Sequence, residues 1–324
     1  MITQTIEATC VREMTFADLY LGHPSLGNRF SAVPRAPADP VLASPALDND
    51  LKALYQRCVD SYSAIRDSDF KLEYDGVSYR VAIMQSMGGL VFVLRKMVST
   101  IRSMQELGVP SVYTQPLMQQ NLRGLLLIAG TMNSGKTTTA GAIIAGRLAR
   151  YGGVAVTAED PVELPLEGEY GLGVCFQTHA SRERGGFAES CRSLVRWGAK
   201  IIYLGEIRDG DTAVEALRAG VNGHLVISTL HAEDIQTALR RMLAMSAEHF
   251  DTSSAQSLLA DGLVGVMHQR LVGDPRRLEA DLLMLSDAPS ATSMIRDGKL
   301  ERLASEIRLQ QARLIQSAAM MDQR

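Results

Sequence analysis

A chain of 324 residues, 46% hydrophobic and 21% charged, has globular composition and the length of two domains. Its formal net charge of −3 supplies no global basic field, which argues against affinity built mainly on coating nucleic-acid phosphates. Cys10, Cys58, Cys175 and Cys191 include no C-x-x-C pair, so neither a disulfide framework nor a four-cysteine zinc site is expected, and the thiols read as reduced in a cytoplasmic setting.

Along the chain, the opening "MITQTIEATC" lacks a basic stretch followed by an apolar one, and no later run reaches the roughly 18 apolar residues of a membrane span. Any membrane association is therefore expected to be peripheral. Residues 31 to 45, "SAVPRAPADPVLASP", hold four prolines among small residues, which excludes a helix or a central strand. "DNDLKALYQRCVDSYSAI" then shows helical spacing at Leu51, Leu54, Tyr55, Cys58 and Val59. The period changes to two in "KLEYDGVSYRVAI". There Asp75-Gly76 signals a two-residue hairpin turn, Val77, Tyr79, Val81 and Ile83 share one strand face, and Arg80 falls on the other. A strand "LVFVLRKM" after Gly88-Gly89, a helix over "VSTIRSMQELG" and a proline-containing connection "VPSVYTQP" complete an α+β first part. A boundary near Tyr113 gives an N-terminal domain over 1–113 and a second domain over 114–324.

From Leu122 onward, buried strands alternate with helices, the pattern of a parallel sheet with crossover connections. "LLLIAG" (125–130), "GVAVTAED" (153–160), "IIYLGE" (201–206) and "LVISTLH" (225–231) each finish in polar or glycine residues. In a doubly wound sheet, ligands sit outside the carboxyl ends of the strands, so these four tails should converge on one site.

The first tail, "GTMNSGKT", satisfies G-x-x-x-x-G-K-[ST] between an apolar strand and a helix. Backbone N–H groups of Gly130, Thr131, Asn133, Ser134, Gly135 and Thr138 would cradle the phosphates of ATP. Lys136 would reach the β- and γ-phosphates, and Thr137 would ligate Mg2+. The second tail, "TAEDPVEL", places Glu159, Asp160 and Glu163 beside that cradle. Carboxylates there would repel a triphosphate unless a cation intervenes, which supports Mg2+ with Glu163 near it. In the third tail Gly205 stands where many P-loop enzymes have a metal-binding Asp, which leaves Glu206 as the candidate catalytic carboxylate. His224 and His231 bracket the fourth strand about 20 Å apart along an extended chain, so they cannot share one ligand. His231, at the carboxyl end, is the candidate for the γ-phosphate or Glu206, and His224 is assigned to a subunit or domain contact.

Taken together, "GTMNSGKTTT", "TAEDPVEL", "IIYLGEIRD" and "NGHLVISTLHA" resemble the Walker A, Asp box, atypical Walker B and His box of the secretion traffic ATPases. That superfamily powers type II secretion, type IV pili and type IV secretion or conjugation. "GFAESCRSLVRWGAKIIYLGEIRD" looks like its helix feeding the Walker B strand, and "GLVGVMHQRLV" like its later helix. "VSYRVAIMQSMGGLVFVLRKM" is similar to its second N-terminal domain, and the likeness covers about residues 70 to 275. It implies an α/β RecA-like P-loop domain with a smaller α+β, PAS-like N-terminal domain, assembled as a homohexamer. It further implies that Arg80 and Arg95 reach the phosphates when a cleft closes, with Glu159, Glu163, Glu206 and His231 as the catalytic set. The implied partner is an inner-membrane platform protein of a pilus or secretion apparatus, with the ATPase peripheral on the cytoplasmic side. Thr131-Met132-Asn133 replaces the usual Pro-Thr-Gly and "GAK" the usual Asp-Pro-Asp, and neither change removes a ligand. Absence of a tetracysteine insert and of a large N-terminal extension points to the pilus-retraction or the conjugative type IVB branch. Two other readings stand beside the motor. A nucleic-acid-translocating RecA-like ATPase should carry basic or aromatic central loops, and a non-hydrolysing switch should be indifferent to loss of Glu206.

Overall fold

The computed structural model describes residues 8–97, 100–180, 185–273 and 275–321. The chain divides into two compact units between Thr100 and Ile101, upstream of the boundary expected at Tyr113. The segment after Thr100 belongs to the second unit because Met104, Val109 and Tyr113 are buried in that unit's core with Leu117 and Ile144.

The first unit contains β1 (Leu19–Leu21), β2 (Arg29–Phe30), β3 (Val41–Leu42), α1 (Asp48–Ile65), β4 (Asp69–Tyr74), β5 (Val77–Ser86) and β6 (Gly89–Lys96). The strands form an antiparallel sheet in the order β3-β2-β1-β6-β5-β4. Asp75 (φ 48°) and Gly76 (φ 72°) both turn left-handed between β4 and β5, as a hairpin turn matched to strand twist requires. The core joins Leu51, Leu54 and Cys58 of α1 to Tyr79, Val81, Phe92 and Leu94 of the sheet. Arg80 stands on the opposite face of β5 from Tyr79 and Val81 and forks onto Asp69, with Nη2 to Oδ2 at 2.6 Å. Arg95, which pairs with Arg80 across the strands, donates to Asp18 at 2.8 and 2.9 Å.

The second unit begins with α2 (Ser111–Leu117), β7 (Gly124–Gly130), α3 (Lys136–Tyr151), β8 (Gly153–Glu159), β9 (Gly168–Tyr170) and β10 (Gly173–His179). It continues with α4 (Gly186–Arg196), β11 (Ile201–Leu204), α5 (Gly210–Val221), β12 (Leu225–His231), α6 (Ile235–Ser246) and α7 (Thr252–Gly262). It closes with β13 (Leu263–Val272), β14 (Arg277–Met284), α8 (Pro289–Arg296) and α9 (Leu303–Met321). Sheet order is β14-β13-β7-β12-β11-β8-β10-β9, parallel from β13 to β10 with an antiparallel strand at each edge. Both faces are covered. Leu125, Leu127 and Ala129 of β7 pack on the α5 side, and Leu126 and Ile128 pack with Ile143 and Ile144 of α3. Two covered faces explain why the strands read as continuous apolar runs rather than as alternation.

Two expectations fail here. "VSTIRSMQELG" is not a helix in its described part: the chain turns at 104–108, with Ser103 N and Oγ donating to Glu106, and Gly108 at φ 76° stops any propagation. The helix forms instead in the expected connection, as α2 with Pro110 at its N-cap. "GLVGVMHQRLV" is the strand β13 rather than a later helix, paired with β7 on one side and β14 on the other. A buried apolar run of this length has no periodicity that separates helix from strand, and its place in the sheet decides. No described helix is long and apolar enough to cross a membrane.

Candidate nucleotide site

Gly130 ends β7, and Thr131 to Gly135 wrap over the N-terminus of α3, which starts at Lys136. Two residues of the loop are left-handed, Asn133 (φ 59°) and Gly135 (φ 82°). Gly130 tolerates no side chain, since a Cβ there would stand 2.4 Å from the Gln269 carbonyl oxygen and 2.5 Å from Ser134 Oγ. Ser134 Oγ (2.9 Å) and Lys136 Nζ (2.8 Å) both donate to the Thr131 carbonyl, while Gln269 Nε2 donates to the Ser134 carbonyl at 2.6 Å. Lys136 is therefore held inside its own loop. The residue is only 8% exposed, and burial pulls its pKa down against the opposing pull of Glu206 and Glu163.

The loop forms one wall of a cavity of about 490 Å3 at the carboxyl ends of β7, β8, β11 and β12. Lys136, Thr137, Glu159, Glu163, Glu206 and His231 line it, with Asn133, Gly135 and Thr138 on the phosphate-loop side. Glu206 accepts from Arg208 Nε at 2.7 Å through Oε2 and lies 3.3 Å from His231 Nε2 through Oε1. The His231 pKa is lowered by burial and by the Lys136 cation, with Glu206 opposing, so the ring is neutral at pH 7. Arg241 donates to the His231 carbonyl and anchors the end of β12. Asp209 N-caps α5 by accepting from Thr212 N at 2.7 Å, fixing the loop that carries Glu206.

Glu159 is 2% exposed and accepts from Thr157 Oγ1 (2.7 Å) and Gln177 Nε2 (2.8 Å). Burial raises its pKa, the hydrogen bonds oppose that shift, and the nearby Glu163 adds to it. Asp160 pairs with His179 at 3.6 Å. Among the described residues no three His, Cys, Asp or Glu side chains converge to hold a metal. Of the side chains facing the cavity, Thr137, Glu159, Glu163 and Glu206 offer oxygens beside the ring nitrogen of His231, a set that suits a hard divalent cation completed by nucleotide phosphates rather than an all-protein cage.

Not every histidine joins the site. His224 precedes β12 and its Nδ1 lies 2.9 Å from the Ala199 carbonyl, a bridge within the unit at the far end of the strand. Arg80 and Arg95 belong to the first unit with the acid partners given above. Conversely, the cavity includes Tyr203, Arg208, Phe187 and Arg276, none of which sequence reasoning assigned to it, and Gln269 braces its loop. A hydroxyl alone in the apolar "IIYLG" and an arginine two residues after Glu206 were visible signals. Gln269 was hidden because its strand reads equally as a helix.

A family described as "Type II/IV secretion system protein" matches residues 66–305. The type IV pilus retraction ATPase PilT of Pseudomonas aeruginosa is 31% identical over 245 residues, 74% of this chain and 69% of that protein. The putative type II secretion system protein E of Escherichia coli is 36% identical over 201 residues, 60% of this chain and 38% of that protein. Among solved structures, the pilus retraction motor PilT with bound ADP matches with a TM-score of 0.75 at 23% identity, covering 92% of this chain and 87% of that one. The Legionella pneumophila ATPase DotB matches at 0.70 and 20% identity, covering 92% and 85%, so the RecA-like architecture with a smaller N-terminal domain is shared. The chain belongs to the type II/IV secretion system protein family and is a P-loop ATPase of it.

Proposed function

We propose that the chain is the hexameric ATPase of a type IV pilus, of the retraction kind, or of a related secretion apparatus, and that hydrolysis moves a membrane-embedded partner. The observation that carries this reading is the convergence of Lys136, Thr137, Glu206 and His231 on one cavity at the strand ends. The 31% identity to a pilus retraction ATPase over 74% of the chain supports the retraction branch. In this reading Lys136 leaves the Thr131 carbonyl for the β- and γ-phosphates, a local exchange of one oxygen acceptor for another. The loop N–H groups hold the remaining phosphate oxygens. Bound Mg2+ supplies charge neutralisation, held through Thr137 with Glu163 near it. Glu206 orients and activates water, His231 in its neutral form donates or accepts at the γ-phosphate side, and Glu159 supports proton transfer. Arg80 and Arg95 are the family-matched phosphate contacts of the assembled ring. The placement that follows is cytoplasmic, peripheral to the inner membrane through a platform protein.

The decisive experiment is steady-state turnover of Glu206→Gln against wild type. Loss of about 10²-fold or more in kcat with nucleotide binding retained is expected for removal of a positioned base. Equal rates would overturn the assignment and favour a non-hydrolysing switch.

A further inference from the structure

Tyr203 is fully buried in β11, a central strand of the sheet. Its strand neighbours Ile202 and Leu204 pack toward α4 and α5, whereas Tyr203, like Ile201, packs with the α3 residues Ile143 and Ile144. The phenol thus points to the side of the sheet from which the phosphate loop and Thr137 rise, and it lines the nucleotide cavity with Thr137. Its hydroxyl lies beside the Thr137 side chain without a hydrogen bond of good geometry, with Glu159, Glu163 and Glu206 close enough to oppose its ionisation after burial has done so. A buried hydroxyl left unpaired is costly, so a residue that keeps one in a ligand cavity is poised to pair when the ligand arrives.

The strand explains what that pairing serves. Position 205, directly after the end of β11, where P-loop enzymes commonly carry a metal-supporting Asp, is glycine here. A Cβ at Gly205 would meet Glu159 Cα at 3.5 Å and the Ala158 carbonyl and the Phe187 ring at 3.6 Å, ordinary contact distances, so no close approach demands a glycine there. A threonine that gives a lone pair to a cation must direct its own O–H proton to an acceptor, and without an Asp at 205 the chain needs another.

We propose that Tyr203 is a positioning residue for the cation-binding threonine: its Oη accepts the Thr137 hydroxyl proton while its own O–H faces the carboxylates of the cavity. The inference rests on the ATPase reading above. The test uses Tyr203→Phe, which keeps the ring and its packing, in the full chain. Binding of a non-hydrolysable ATP analogue is titrated in EDTA and over a range of Mg2+, beside steady-state turnover and melting without nucleotide. Metal-free affinity and melting should match wild type, while the half-saturating Mg2+ concentration rises about tenfold, the usual size of losing a partner of a metal ligand. In a Thr137→Val background the same substitution should add nothing. If Tyr203→Phe melts early, a fluorinated tyrosine at 203, which keeps the packing but weakens the oxygen as an acceptor, should raise the Mg2+ requirement in the same direction. An unchanged Mg2+ dependence in the folded variant overturns the proposal. Absence of turnover in wild type would strike the ATPase reading instead, and the binding titration would still decide the role of Tyr203.

Discussion

At the scale of single residues, the site is organised by partners that keep charged groups in a chosen state. His231 titrates below its ordinary 6.5 in the folded chain because burial and Lys136 disfavour its cation. Between the folded and unfolded values the unfolded chain therefore holds more protons, so stability rises with pH across that window and is lost as pH falls below about 6.5. Urea unfolding at several pH values from 5 to 8 should show a slope that is shallower in His231→Gln. Gln269 offers a second test. Its Nε2 fixes the Ser134 carbonyl, but its Oε1 is buried without a partner. Gln269→Leu removes the good bond and the unpaired oxygen together, so stability should fall by only about 1 kcal/mol. The Kd for ATP should rise more clearly, because the loop loses its brace; denaturant melts and nucleotide titration separate the two effects. Lys136, Thr137 and Glu206 were legible because their motifs are contiguous in the chain. Gln269 and Tyr203 were not, because what they touch is set by neighbouring strands and by the helix packed over them.

Among elements, the close seating of α5 against β7 and the end of α7 depends on glycine. A Cβ at Gly220 would stand 2.6 Å from the Gly262 carbonyl and 2.9 Å from Leu125 N. Gly220→Ala must push these backbones apart, and overpacking of this kind costs about 1–3 kcal/mol. A lower Tm with ATP binding retained in the folded fraction is expected, since the phosphate loop rises on the other face toward α3. The long helix α1, the Asp75-Gly76 hairpin and the four strands with polar tails were all readable, because each carries a local period or turn signal. The buried strand β13 was not, for its partner β7 is remote in sequence, and neither were the short edge strand β9 and the edge strand β14, although each pairs with the strand next to it in the chain. The expected helix near residue 100 illustrates a different failure. Apolar spacing was present, but Gly108 and Pro110 broke it and moved the helix to 111–117.

For the whole molecule, the ring is the prediction with the widest consequence. Gel filtration with a saturating non-hydrolysable ATP analogue should give a hexamer mass, and a persistent monomer would count against a ring motor. The sequence by itself determined that one unit carries a nucleotide-phosphate cradle, because a phosphate loop needs only a strand, a glycine-rich turn and a helix in succession, and all three lie within "LLLIAGTMNSGKTTT". It also determined that Glu206 sits at a strand end next to that loop, since parallel strands bring their carboxyl ends to one edge. Only the tertiary structure decided that Glu206 is gripped by Arg208 and faces His231, that Gln269 braces the loop, and that the segment after Thr100 packs with the second unit. The physical reason is the same in each case: sheet order and helix seating are chosen by burial across the whole core, and no local window of the chain contains both sides of those contacts.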